Sequence, residues 1–255
     1  MSQPSRREFI QSAATTVTAL ALSNLASAAD RPRRVVVWSE GTAPKDVYPA
    51  DINSAVAAGL APLAPAWEVV VAGIDQPDQG LDATRLAGTD VLIWWGHKRH
   101  DDVKDDLVRR IVERVKTQGM GFIGLHSAHY CKPYRALMGT ACGWREYVAD
   151  GTSVTIHVKQ PDHPIARGIQ DFHLPKIERY GEPFVVPEPE AVVLEGEYLR
   201  PDGGKEKGRM GLCWTVGRGR VFYFTPGHET YPDFLRDDVR HVLRNAVEWA
   251  APRAA

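Results

Sequence analysis

Gly119-Met120-Gly121-Phe122-Ile123-Gly124-Leu125-His126-Ser127-Ala128-His129 is an apolar run between glycines that stops in a pair of histidines. Met, Phe, Ile and Leu without polar alternation suit a strand covered on both faces, as in a parallel sheet packed between helices. Ligands of such sheets gather beyond the carboxyl ends of the strands. Two further segments finish in the same way: Asp90-Val91-Leu92-Ile93-Trp94-Trp95-Gly96-His97 and Gly219-Arg220-Val221-Phe222-Tyr223-Phe224-Thr225-Pro226-Gly227-His228-Glu229. Three strands tipped with histidine predict one shared site.

The flanking patterns supply the rest of an α/β fold. Asp101 or Asp102 is expected to cap a helix in which Val103, Leu107, Val108, Ile111, Val112 and Val115 recur at helical spacing. Gly119 ends it, and the next strand completes a right-handed βαβ unit. Nearer the N-terminus, Val35-Val36-Val37-Trp38 is a strand whose tip carries Glu40. Residues 51–60 form a helix with Asp51 as N-cap, residues 67–72 a second strand and residues 83–86 a short helix. Residues 132–139 are a further short helix, and Gly143-Trp144-Arg145-Glu146 a loop near the site. From Thr152 onward alternation replaces continuous runs. Residues 154–158 form a half-exposed strand, and residues 191–199 and 209–216 a hairpin through Pro201-Asp202-Gly203-Gly204. A stripe from Val239 to Trp249 marks the closing helix. The sum is a mostly parallel sheet with helices on both faces and an antiparallel extension in the C-terminal half.

Ser5-Arg6-Arg7-Glu8-Phe9-Ile10 has the form of a twin-arginine export signature, followed by an apolar stretch from Ala13 to Leu22 and a small-residue site, Ala26-Ser27-Ala28. Residues 1–29 are therefore expected to be an export signal to the periplasm or beyond, and residues 30–255 a single domain. The apolar stretch is far shorter than the ~20 residues of a membrane span. Net charge is −1 with basic residues dispersed among acidic ones, which argues against a nucleic-acid partner and for a small neutral one. Cys131, Cys142 and Cys213 are too few and scattered for a disulfide scaffold or a cysteine zinc site and read as packing residues, although Cys131 and Cys142 could pair in an oxidising compartment.

Five of the nine histidines fall in three short motifs: His97 and His100, His126 and His129, and His228. Neutral imidazole is a common metal ligand and exchanges protons near neutral pH. Their shared position at strand ends points to a divalent-ion site, zinc among the candidates, with His97, His126 and His228 as ligands. His129, with Glu182 or Glu229, is assigned to proton transfer. Tyr130, Trp144, Tyr180 and Tyr231 lie around these motifs with Arg145, Glu146, Glu178 and Glu182. Aromatic faces beside polar groups suit a sugar, so Tyr130, Trp144, Arg145, Tyr180 and Tyr231, with Glu40 and His100, are expected to contact substrate.

Trp94-Trp95-Gly96-His97, residues 121–129, Leu137-Met138-Gly139-Thr140 with Cys142, Trp144-Arg145-Glu146, His163-Pro164-Ile165, Tyr180-Gly181-Glu182 and Pro226-Gly227-His228-Glu229-Thr230-Tyr231-Pro232 together resemble the trehalose-utilisation, ThuA-like family. The resemblance spans nearly all of the chain after the export segment. It implies a flavodoxin-like fold similar to class I glutamine amidotransferases, with a nucleophile elbow after one strand. At the elbow, however, this chain has His126 and Ser127 where an amidotransferase has cysteine, and Cys131 falls too late, so glutaminase activity is not expected.

The family's association with disaccharide breakdown through 3-keto sugars implies the substrate class. The expected function is an exported enzyme acting on a disaccharide, a glycoside or its 3-keto derivative by metal-assisted hydrolysis, elimination or isomerisation. Two alternatives remain at this stage: a hydrolase using Ser127 with His228 as base, and a non-catalytic periplasmic carbohydrate-binding protein. Ser127 lacks the Gly-x-Ser-x-Gly spacing of a strained elbow. A homo-oligomer is left open.

Overall fold

Alternation within the apolar strands divides the core into two layers, because successive strand side chains point to opposite faces. A computed structural model describes residues 31–253; the expected export segment lies outside these residues. Residues Arg34–Ala255 constitute one compact unit. Its elements are β1 (Arg33–Ser39), α1 (Asp51–Gly59), β2 (Trp67–Gly73), α2 (Ala83–Ala87), β3 (Val91–Trp95), α3 (Asp105–Gln118), β4 (Gly121–Leu125), α4 (Lys132–Met138), β5 (Trp144–Val148), β6 (Ser153–Val158), β7 (Phe172–Leu174), β8 (Arg179–Phe184), β9 (Ala191–Leu199), β10 (Lys205–Val216), β11 (Gly219–Phe224) and α5 (Asp237–Ala250).

Nine strands form one sheet in the order β2-β1-β3-β4-β11-β10-β9-β6-β7. β1, β3, β4 and β11 run parallel to one another, and β10, β9, β6 and β7 continue the sheet antiparallel. Both expected parts are present, the parallel core and the antiparallel wing. Val35, Val37, Ile93, Trp95, Ile123, Leu125, Phe222 and Phe224 pack on one face with Ile52 and Val56 of α1 and Val239, Val242 and Leu243 of α5. Val36, Trp38, Leu92, Trp94, Phe122 and Tyr223 pack on the other with Leu107, Ile111 and Val115 of α3 and Tyr134 of α4. Trp94 and Trp95 are both fully buried, and Trp94 stacks on Trp38 with ring centres 3.7 Å apart. Among the described residues no helix is long and apolar enough to cross a membrane.

Three local expectations change, each because a distant contact replaces a local one. α3 begins at Asp105, not after Asp101 or Asp102. The Gln79 side chain donates to the Asp102 carbonyl and accepts the Lys104 N–H, so a residue remote in sequence arranges the helix start. Asp51 is not the N-cap of α1; it has φ of 69° and its carboxylate accepts the Ser39 hydroxyl and the Ala43 N–H, fastening α1 to the end of β1. Residues 144–146 are not a loop but part of β5, which pairs antiparallel with β8 in a separate two-stranded sheet. Cys131, Cys142 and Cys213 are buried and free, and the Cys131 sulfur accepts the Tyr134 N–H at the start of α4.

The glycine that opens β4 is there for space. A Cβ on Gly121 would lie 2.4 Å from the Ala250 carbonyl oxygen at the end of α5. Gly121→Ala is expected to destabilise the fold by about 1–3 kcal/mol, the usual cost of overpacking, seen as a lower urea midpoint with an unchanged slope. An unchanged midpoint would mean that α5 does not press on this strand.

Candidate functional site

Strand register brings the three histidine-bearing tips to one level. Trp95 and Phe224 both pair with Leu125, so β3, β4 and β11 end side by side. His126 follows Leu125 at once, with φ of 51°. This left-handed turn costs a non-glycine residue roughly 1–2 kcal/mol, and the fully buried imidazole meets His97 and His228. His97 lies one glycine beyond β3, in a segment held by Glu40, whose carboxylate accepts the Lys98 and Arg99 N–H groups at 2.6 and 2.9 Å and the Thr42 hydroxyl at 2.7 Å. His228 follows Gly227, whose carbonyl accepts the Trp95 indole N–H at 3.0 Å. Gly227 has φ of 119° and sits against the Phe234 ring, where no side chain would fit.

The rings converge. Centre-to-centre distances are 5.1 Å for His97 and His228, 5.3 Å for His126 and His228, and 5.8 Å for His97 and His126. Each Nδ1 is engaged to one side: with Glu229 at 2.6 Å for His97, with the Thr225 carbonyl at 2.9 Å for His126, and with the Thr230 hydroxyl at 2.8 Å for His228. A carbonyl only accepts, so His126 Nδ1 carries a proton and its Nε2 faces the cluster. Glu178 Oε2 lies 3.0 Å from His126 Nε2 and 3.9 Å from His228 Nε2, yet it is buried and makes no aligned hydrogen bond. Two electron-pair bearers at 3.0 Å require a proton or a cation between them. Two groupings have ligand atoms within 4.8 Å of one another: His97, His228 and Glu229, and His126, Glu178 and His228. In the first, Glu229 already accepts from His97 and from Lys98 Nζ at 3.0 Å, so it braces His97 from outside the cluster.

The chain from residue 34 to residue 250 matches the family model ThuA, described as trehalose utilisation. It belongs to that family. The fold is also that of a putative ThuA-like protein from Bacteroides uniformis, with a TM-score of 0.61 at 17% identity, covering 87% of this chain and 92% of that one. Two structures align at lower scores: a putative GMP synthase protein from Thermoplasma acidophilum (TM-score 0.47, 13% identity, 84% and 92% of the chains) and the CTPS glutaminase domain of Trypanosoma brucei with bound acivicin (0.48, 6%, 87% and 96%). No curated protein matches this sequence. ThuA membership supports a carbohydrate-related function.

Of the residues expected to act in this ThuA site, His97, His126 and His228 meet, with Glu229 beside them. His129 does not: it is fully buried, its Nδ1 donates to the Cys142 carbonyl at 2.6 Å, and Tyr130, Tyr147, Tyr180, Phe184 and Tyr223 surround it. Burial pushes its pKa down to about 3, so it stays neutral and cannot exchange protons with a ligand. Glu182 is also displaced, held by both guanidinium arms of Arg209 and by the Phe184 N–H. Glu40 supports the His97 segment instead of facing a ligand. Arg145 pairs with Glu146 and Glu206, and Trp144 is buried against Phe184, ring centres 4.1 Å apart. Tyr180 is buried too, its hydroxyl between His126 Nε2 at 3.0 Å and Ser127 Oγ at 2.9 Å. Ser127 thus bonds Tyr180, not His228. Tyr231 packs on His228 with ring centres 5.4 Å apart, and His100 faces the half-exposed Tyr130. The residue absent from the expected ligand and base sets is Glu178. Its sequence signal is slight, an acid just before the Tyr180 segment.

Burial alone would raise the Glu229 carboxyl, but the His97 and Lys98 contacts outweigh it and hold it well below 4.5; the hydrogen bond to Glu229 in turn raises His97 above 6.5 despite burial. Burial, reinforced by His126, pushes His228 down to about 4. In metal-free protein the raised His97 contributes stability that is full below pH 6.5 and lost as pH rises through its folded value; the depressed Glu229 contributes stability present above pH 4.5 and lost on acidification. Glu229→Gln should therefore lower the urea midpoint most near pH ~5.5 and less near pH ~9. An equal loss at both would show that the pair does not couple as its geometry indicates.

Proposed function

We propose that this ThuA-family chain is an exported enzyme that removes the proton next to the ketone of a 3-keto glycoside, with His97, His126 and His228 holding a divalent ion and Glu178 as the base. The observation that carries this reading is three imidazoles converging beside a buried carboxylate oxygen, Glu178 Oε2, 3.0 Å from His126 Nε2. His228 has ligand atoms within 4.8 Å of those of His97 and Glu229 and of those of His126 and Glu178, so it is the residue common to both candidate groupings. The outward partners of Nδ1 are the usual supports of metal-ligating histidines, here Glu229 for His97 and the Thr225 carbonyl for His126. When bound, such an ion polarises a carbonyl and acidifies the adjoining C–H.

The chain's own groups then divide the work. Burial would raise Glu178, but His126 and the other two imidazoles outweigh it and hold its carboxyl below 4.5, so it is charged and able to accept a proton at neutral pH. Glu229 and Lys98 orient His97. Tyr180, whose pKa burial pushes well upward, remains a hydroxyl, and its ring, stacked on His126 with centres 4.9 Å apart, keeps that imidazole in place. Loss of the proton next to the ketone is the step shared by elimination and isomerisation of a keto sugar; in elimination the glycosidic C–O bond then breaks, its electron pair leaves on the oxygen, and that oxygen takes up the proton Glu178 removed.

Elemental analysis of purified, untagged protein should give about one equivalent of a transition metal, falling at least tenfold in His228→Ala. With 3-keto methyl glucoside in D2O, wild type should place deuterium on the carbon beside the ketone. Glu178→Gln should slow that exchange about a hundredfold or more while retaining the ion. Less than ~0.1 equivalent of metal with exchange indifferent to chelator would end the metal assignment. Loss of the ion in Glu178→Gln would make Glu178 a ligand and not the base.

A further inference from the structure

Beside the histidine cluster, on the Tyr180 side, stands a second constellation that the chemistry above does not use. Tyr130 and Tyr147 are 38% and 37% exposed, among the few large apolar or aromatic side chains that reach solvent. Their hydroxyls bond each other at 2.6 Å with ring centres 5.7 Å apart. Behind them, Tyr147 lies parallel to the buried His129 ring at 5.6 Å and meets Tyr180 edge-on at 5.0 Å, and Tyr180 touches His126. At the near edge His100 faces Tyr130, centres 6.4 Å apart, and both of its ring nitrogens are shielded from solvent without a hydrogen-bond partner. Buried polar atoms are normally satisfied. A pair of exposed aromatic faces next to unsatisfied imidazole nitrogens is suited to a ring that is apolar on its C–H face and carries hydroxyls at its rim.

We propose that Tyr130, Tyr147 and His100 form a subsite for the second ring of a two-ring glycoside, the tyrosines stacking on it and His100 bonding a hydroxyl. This rests on the carbohydrate reading above and narrows it: the substrate is a disaccharide or a glycoside with a ring-sized leaving group, not a free monosaccharide. Contacts run from His126 through the buried Tyr180 side chain to Tyr147, so one side chain separates the platform from the cluster. Tyr147 also accepts the Trp144 N–H at 2.9 Å, so the platform is anchored to β5. His129, behind it, is a positioning residue that braces Tyr147.

The test compares metal-loaded wild type with Tyr130→Ala and His100→Phe, using 3-keto trehalose as the two-ring probe and 3-keto methyl glucoside as the one-ring probe. Neither variant touches the three converging imidazoles or Glu178. Each should raise KM for the two-ring probe about tenfold, the order expected for a lost aromatic or hydrogen-bonded contact, with kcat, metal content and the one-ring KM unchanged. Equal KM changes for both probes, or none for either, overturn the subsite. If wild type processes the one-ring probe but gains nothing from the second ring, the subsite falls and the carbohydrate reading stands. If wild type acts on neither probe, both fall. Tyr147→Phe, which removes the hydroxyl and keeps the ring, should retain most of the two-ring preference; complete loss would place recognition in the hydroxyl and overturn stacking.

Discussion

The site depends on a shared strand level. β3, β4 and β11 are hydrogen-bonded in parallel register so that Trp95, Leu125 and Phe224 end together. Each histidine then needs only a short excursion from its strand to reach the others. A one-residue slip in a strand would flip its side chains to the other face, and the two apolar layers prevent that: Trp95 and Leu125 belong to one, Trp94 and Phe122 to the other. Core packing and site geometry are thus the same constraint. The backbone at His126, in a conformation unusual for a side-chain-bearing residue, is held by the Tyr223 hydroxyl donating to its carbonyl at 2.7 Å and by the Thr225 carbonyl accepting from its ring.

Much of this was legible because it rests on period and punctuation. Apolar runs without alternation marked the parallel strands, alternation marked the wing, and glycine marked the end of α3. What was not legible required distances across the sheet. By period-two parity alone Glu178, Tyr180 and Glu182 would be expected on one side, although Glu178 lies just before β8. Which acid reaches the histidines depends on how far along the strand it sits, at about 3.3 Å per residue, and parity says nothing about that. Glu182 falls beside Arg209 and Glu178 beside His126. His129 departs from its expected role for a related reason. The turn after β4 carries it inward, while His126, three residues earlier, swings to the strand ends. Gln79 controls the start of α3 from outside any sequence window that includes the helix.

Two carboxylates beside the cluster differ in their neighbours. Glu229 receives His97 and Lys98, which satisfy it and make it a fixed support. Glu178 is approached by His126 and, farther off, by His228, with one oxygen unsatisfied. Chemical type alone does not separate the two, since each acid lies close to a histidine.

Charge balance sets what the cluster accepts. Glu178 and Glu229 bring two negative charges and Lys98 one positive charge, so with all three imidazoles neutral the group carries one net negative charge in a half-buried setting. Such a charge is costly to leave unbalanced. His97 meets that demand by taking a proton, which its raised pKa reflects. A divalent ion among the Nε2 atoms would meet it differently, by expelling that proton, since imidazole binds metal only when neutral. Proton and ion therefore compete for one deficit of positive charge; His228 is uncharged near neutral pH, but its Nδ1 accepts the Thr230 N–H, so its one proton lies on Nε2 and an ion there would have to displace it.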